Sequence, residues 1–109
     1  MAYDEILASR IRNMLARKKG IEPKKMFGCQ CFLLNGNLLT GVRKDCLIAR
    51  LGREESELAL REPFVRPFDI TGKRMRNWVL VEPPAVEDDD QLKGWIDRAT
   101  SFVKRLPKK

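Results

Sequence analysis

Residues 24–45 read KKMFGCQCFLLNGNLLTGVRKD, and this stretch decides the fold. Near its centre lies Asn35-Gly36, a dipeptide favoured in two-residue hairpin turns because both positions of a type I′ turn need a positive φ. Apolar residues flank the dipeptide on both sides, which predicts two antiparallel strands. The register that sets Leu34 opposite Asn37 gives the further pairs Leu33 with Leu38, Phe32 with Leu39 and Cys31 with Thr40.

The two faces of the first hairpin strand are predicted from the alternation of side chains along a strand. One face carries Phe27, Cys29, Cys31 and Leu33, and the other carries Gln30, Phe32 and Leu34. After the second strand, Arg43-Lys44-Asp45 predicts another turn, and residues 46–51 predict a third strand. We therefore expect a three-stranded antiparallel meander in this part of the chain.

Three helices are predicted outside the meander. Apolar residues recur at the helical period in residues 3–19 and 88–106, which indicates two amphipathic helices. Asp88 and Gln91 have the spacing of a capping box at the start of the second of these. A short helix is expected over residues 54–60, because its acidic opening complements the helix dipole.

Two more strands complete the predicted order. Residues 65–70 contain Pro67 and fit an edge strand, where a missing amide hydrogen is tolerated. Residues 78–81 are predicted to form the fifth strand. The resulting order, α-β-β-β-α-β-β-α, predicts an α+β fold with a mainly antiparallel sheet covered by helices. A length of 109 residues fits a single domain, 1–109, with one core.

Composition argues against several classes of protein. The chain has no histidine, so it lacks the commonest general base and the commonest metal ligand, and we expect no enzyme activity, metal or cofactor. An odd number of cysteines, three, argues against a disulfide framework. The opening residues carry early acid and no apolar signal core, and no apolar run is long enough to cross a bilayer, so we expect a cytoplasmic protein.

The three cysteines form the one cluster with potential metal or redox chemistry. Cys29, Cys31 and Cys46 supply only three thiols, whereas a structural zinc site takes four ligands. We therefore expect these thiols to pack as small apolar side chains. A redox role is the alternative, because nearby lysine and arginine residues can lower the pKa of a thiol.

The basic residues are the main candidates for an interaction surface. The formal net charge is +7, and basic residues lie at predicted strand entries and turns, where they are expected to line one edge of the sheet. These candidate residues are Lys24, Lys25, Arg43, Lys44, Lys73, Arg74 and Arg76. Aromatic residues do not interleave with them as a stacking platform for single-stranded nucleic acid requires, and we assign Phe32, Phe68, Trp95 and Phe102 to the core.

A resemblance to a known family adds to these predictions of fold and surface. The residues that carry it are Lys25-Met26-Phe27-Gly28, Phe32, Asn35-Gly36-Asn37, Gly41-Val42, Lys44-Asp45, Leu47, Arg50-Leu51-Gly52, Pro67-Phe68, Thr71-Gly72-Lys73, Met75, Trp95 and Ala99. In order and spacing the chain resembles the amino-terminal domain of the TfoX/Sxy competence-regulator family over nearly its whole length. The resemblance implies a secretion-chaperone-like α+β fold. Full-length competence regulators carry a second, carboxy-terminal domain. Because the resemblance to the amino-terminal domain takes up nearly all 109 residues, we expect a stand-alone amino-terminal domain here.

Function is predicted from charge and resemblance together. The resemblance implies a bacterial coregulator that acts through a protein partner, a transcription regulator such as the cyclic-AMP receptor protein, rather than a reader of DNA sequence. We therefore expect a non-catalytic interaction module whose partner surface includes the hairpin and the basic turn from Lys73 to Arg76. The alternative is a nucleic-acid-binding domain that contacts phosphates without sequence preference through the basic turns.

Overall fold

The computed structural model describes residues 3–26, 28–70 and 72–107, without the side chains of Ile70, Lys73 and Arg74. Within these residues the elements follow in the order α1 Glu5–Leu15, β1 Ile21–Met26, β2 Cys29–Leu34, β3 Asn37–Arg43, β4 Cys46–Arg50, α2 Arg53–Ala59, β5 Val65–Ile70, β6 Lys73–Val81 and α3 Asp89–Val103. A short 3-10 helix, Pro83–Ala85, precedes α3. The α+β class predicted from the sequence is confirmed.

The sheet contains one strand that the sequence did not predict. Its six described strands pair antiparallel in the order β1-β2-β3-β4-β6-β5, so β1 and β5 are the edges. β1 has four exposed residues among six and contains Pro23, so neither alternation nor apolar content reveals it. The prediction that Pro67 lies in an edge strand is confirmed by β5.

The Asn35-Gly36 turn forms as predicted, with φ of 53° and 84° at its two positions. The register next to it is confirmed for Leu34 with Asn37 and Leu33 with Leu38. Beyond these pairs a β-bulge shifts the register, so that Phe32 pairs with Thr40 and Cys31 with Gly41. The predicted pairs Phe32 with Leu39 and Cys31 with Thr40 are therefore wrong. The bulge adds one residue to β3 and allows Leu39 to enter the core in full.

Aspartate side chains cap the first turns of α1 and α3. The Asp4 carboxylate accepts hydrogen bonds from the amides of Ile6 and Leu7 at the start of α1. Asp88 and Gln91 form the predicted capping box at the start of α3. α1 and α3 end at Leu15 and Val103, whereas the predicted helices ran to residues 19 and 106. None of the described helices combines the length and the apolar character that a bilayer crossing requires.

Apolar side chains are buried on both faces of the sheet, whereas the length of the chain predicted one core. The helices pack on one face, where residues of α1 and α3 contact the inward-facing residues of β2, β3, β4 and β6. A second cluster, here the outer cluster, lies on the opposite face, the outer face. It consists of Cys29, Cys31, Cys46, Ile48, Phe68 and Leu80. Phe68 thus belongs to the outer cluster and not to the helix-side core.

The predicted faces of β2 are confirmed for the described residues. Cys29 and Cys31 lie in the outer cluster, whereas Phe32 and Leu34 lie in the helix-side core. Phe27, which was predicted to share the face of Cys29, lies outside the described residues.

Candidate functional site

The β5–β6 hairpin curls over the outer face. Its register changes abruptly, from Pro67 opposite Val79 to Phe68 opposite Met75, so three residues of β6 lack partners in β5. Arg43 of β3 donates a hydrogen bond from Nη1 to the carbonyl oxygen of Asp69 in β5, at 2.8 Å. Two strands, β4 and β6, separate β3 from β5 in the sheet. The contact therefore requires the end of the hairpin to fold back across the outer face.

A cavity of about 530 Å³ lies between this hairpin and the sheet, and we call it the outer cavity. Most of its described lining is apolar or sulfur-containing and comes from Met26, Cys29, Cys31, Leu33, Leu38, Ile48, Phe68, Met75 and Trp78. The rings of Phe68 and Trp78 form one wall, with their centroids 6.0 Å apart. Small-molecule sites have this character, since they are concave and mostly apolar and occupy about 300–1,000 Å³.

Three cations line the outer cavity, namely Lys24, Arg43 and Arg50. The guanidinium carbon of Arg43 lies 5.6 Å from the centroid of the Phe68 ring, and that of Arg50 lies 5.2 Å from the Trp78 centroid. Both distances are within the range of cation–π interactions. No described lining residue is acidic. Within its described lining, the positive charge is therefore not balanced by an acidic side chain.

Arg50 is the most constrained of the three cations. Its Nη1 donates to the carbonyl oxygen of Leu38 at 3.3 Å, and its guanidinium also approaches the ring of Phe102 at 6.0 Å. Its Nε is buried, and no acceptor in the described chain reaches it. Burial lowers the pKa of Arg50 from its ordinary value, which means that the charged form is poorly solvated where it lies.

Acidic side chains form ion pairs with basic residues outside the outer cavity. Among the described residues, ion pairs join Arg10 to Asp89, Arg53 to Glu57, Lys93 to Asp97, and Arg98 to both Glu55 and Glu62. Lys24, Arg43 and Arg50 take part in none of these pairs. The outer cavity therefore combines an apolar interior with cations that have no carboxylate partner in the described part of the chain.

The described side chains of the basic residues predicted from the sequence do not all lie on one surface. Lys24 and Arg43 meet at the outer cavity, but Lys25 pairs with Gln30 and, by alternation, projects from the opposite face of β1. Lys44 is exposed in a neighbouring groove with Asp69.

The remaining predicted cations lie on β6. Arg76 is exposed beside Glu57 of α2. Lys73 and Arg74 belong to the β6 backbone, and their side chains lie outside the description. The prediction of one continuous basic edge is wrong for Lys25, which strand alternation turns away from Lys24, and it stays a prediction for Lys73 and Arg74.

Arg50 was missed as a site residue. Along β4 it follows Cys46 and Ile48 at intervals of two, so all three face the same side of the sheet. That alternation is visible in the sequence and was the available signal. The β5–β6 hairpin closes the outer cavity over Arg50, and no comparable pattern in the sequence predicts that closure.

The thiols are buried on the outer face, as expected for small apolar side chains. Burial raises the pKa of Cys29, against a smaller lowering by Arg43. Burial also raises the pKa of Cys31 and of Cys46 to about 11, and a hydrogen bond from the Cys46 thiol to Asp45 adds to the latter shift. A redox thiol needs the opposite direction, so these pKa values disfavour the alternative role. No group of three or more potential metal ligands lies together within the described residues.

Comparison with known proteins identifies one family. The model of the TfoX N-terminal domain matches residues 13–103 of the chain. Searches of curated proteins and of solved structures gave no match.

Proposed function

The chain belongs to the TfoX N-terminal domain family, and on that premise we propose that it is a non-catalytic module that binds a protein partner in bacterial gene regulation. The family suggests a regulatory or competence-related role. In the finer form of the proposal, the module acts in the cytoplasm as a coregulator beside a transcription regulator. It contributes a binding surface rather than a reaction.

The observation that carries the proposal is the composition of the outer face. No described helix covers this face, and its outer cavity combines the rings of Phe68 and Trp78 with cations that lack carboxylate partners. Aromatic and arginine side chains are enriched among residues that dominate protein–protein binding energies. Lys44 is exposed on the adjoining β3–β4 turn. An acidic partner surface is the complement of this arrangement.

Charge reversal tests the proposal. A variant with Arg43, Lys44, Lys73 and Arg74 all changed to Glu is used to recover proteins from native cytoplasm, and the retained proteins are identified by mass spectrometry. We expect loss of a partner that the unchanged protein recovers.

The matched control changes the exposed Arg12, Arg17, Lys18 and Lys104 to Glu. It alters net charge equally and leaves the outer face intact. Equal recovery by the unchanged protein and both variants would reject the outer face as the partner surface.

Nucleic acid is the second candidate partner, favoured by the net charge of +7. Binding through phosphate contacts would weaken steeply as salt rises, because counterions are released. Anisotropy titrations of a labelled duplex at several salt concentrations, with the same two variants, separate this function from protein binding. Absence of binding at low salt would exclude it.

A further inference from the structure

We propose that the outer cavity binds a small organic acid, a single carboxylate carried on an apolar body. This inference goes beyond the proposed function, because it concerns the isolated protein and requires no protein partner. It rests on the size of the cavity, on the chemistry of its lining and on the state of Arg50.

The lining determines the body of the ligand. The walls offer side chains of Leu33, Leu38 and Ile48 and the rings of Phe68 and Trp78. A sugar or a nucleotide base would bring polar groups into contact with these walls, and unpaired polar groups are costly to bury. An aliphatic chain or a fused aromatic ring leaves no such group unpaired. The volume of about 530 Å³ is ample for either body.

The cations determine the head group. Arg50 lines the outer cavity, lies close to the rings of Trp78 and Phe102, and is partly desolvated by burial. A poorly solvated cation without a carboxylate partner in the described chain is unfavourable, and a bound carboxylate would supply charge-assisted hydrogen bonds to the part of the guanidinium that faces the cavity. The planar guanidinium matches the geometry of a carboxylate. Lys24 and Arg43, which also line the cavity, add long-range attraction for an anion.

The test measures binding of simple probes to the purified protein. Decanoate is titrated below its micelle concentration by calorimetry and by tryptophan fluorescence, to which Trp78 in the cavity contributes beside Trp95. Naphthoate replaces it in a parallel titration of an aromatic body. Decanol lacks the charge, decylammonium reverses it, and acetate lacks the body.

We expect decanoate or naphthoate to saturate one site per chain, and decanol to bind at least roughly tenfold more weakly, as the loss of a charged hydrogen bond implies. Decylammonium and acetate should show no saturable binding. Equal affinities for decanoate and decanol would overturn the role of the cations. Absence of saturable binding by both acids would overturn the proposal as a whole.

Paired variants locate the site. Lys24→Gln and Lys25→Gln make the same charge change on neighbouring residues of β1, but only Lys24 lines the cavity. We expect Lys24→Gln to weaken decanoate binding about two- to fivefold, as for an exposed ion pair, and Lys25→Gln to leave it unchanged. Equal effects of the two would show a non-specific charge effect and contradict the assignment.

Arg50→Gln should weaken decanoate binding by roughly tenfold or more and leave decanol binding nearly unchanged. Because Arg50 also packs against two rings, Arg43→Gln provides a second variant if Arg50→Gln does not fold.

Leu38→Trp fills the cavity and should abolish binding of both probes, whereas Leu58→Trp, at an exposed position of α2, should not. Retention of decanoate binding by Leu38→Trp would place the ligand elsewhere. Loss of a protein partner in the recovery experiment would leave these results unaffected.

Discussion

Replacement of Gly52 by Ala is expected to destabilise the fold strongly. Gly52 lies between β4 and α2 with φ of 84° and ψ of 166°. This region of backbone conformation is nearly restricted to glycine, and a residue with a Cβ pays about 1–3 kcal/mol to occupy it. The amide of Gly52 also donates to the carbonyl oxygen of Asn77 at 3.1 Å, which ties the turn to β6. The turn therefore cannot relax freely to accommodate alanine.

A steric contact adds to this backbone cost. A Cβ at Gly52 would lie 2.6 Å from two ring carbons of Phe102, far inside van der Waals distance. Overpacking of this kind costs about 1–3 kcal/mol, so we expect a total loss of about 2–6 kcal/mol. That is a large fraction of the unfolding free energy of a typical folded domain, which is roughly 5–15 kcal/mol. Urea denaturation followed by circular dichroism measures the change in unfolding free energy.

Two other glycines provide controls for the two costs. Gly72 has a similar φ of 78°, but nothing lies within 4 Å of a Cβ placed there, so Gly72→Ala isolates backbone strain. Gly94 lies in α3 with open space around it, and Gly94→Ala should stabilise by up to about 1 kcal/mol. The explanation is wrong if Gly52→Ala costs no more than Gly72→Ala. It also requires that Phe102→Leu reduce the additional cost of Gly52→Ala.

Two further predictions concern the cap of α3 and the buried thiols. Asp88→Ala removes the capping box and should lower the unfolding free energy by about 1 kcal/mol, whereas Asp90→Ala should change it by at most about 0.5 kcal/mol; equal losses in urea denaturation would contradict the capping role. Burial holds the pKa of Cys31 and of Cys46 at about 11 in the folded state, above the ordinary 9.0. The protonated thiols therefore contribute fully to the unfolding free energy below pH 9, and this contribution is lost as pH rises towards 11. Each thiol should account for a loss on the order of 2 kcal/mol, and Cys31→Ala should lose less over this interval than the unchanged chain does; parallel pH profiles would refute the assignment.

Local chemistry made much of the fold predictable. Asn35-Gly36 determined a turn whose φ requirements few other dipeptides meet, and Asp88 with Gln91 determined the start of α3. These features depend on residues within four positions of one another. Their outcome is therefore largely independent of the rest of the chain.

Features that depend on distant residues were not predictable in the same way. The β-bulge beside Leu33 is favoured because it buries Leu39 against helices that the hairpin sequence does not specify. The outer cavity exists because β5 and β6 curl until Asp69 meets Arg43, a contact across 26 positions. The role of Arg50 depends on that curl, so the sequence pattern showed its face but not its surroundings.

Proline at both margins of the sheet limits how the protein can associate with others. Pro23 in β1 and Pro67 in β5 each deprive an edge of one backbone donor, and Lys24 and Lys25 add charge to the first edge. An incoming strand from another chain would therefore meet an interrupted ladder on either side. Fibre-like stacking of copies is disfavoured, and so is capture of a peptide by β-augmentation. We therefore expect recognition by this domain to proceed through side chains.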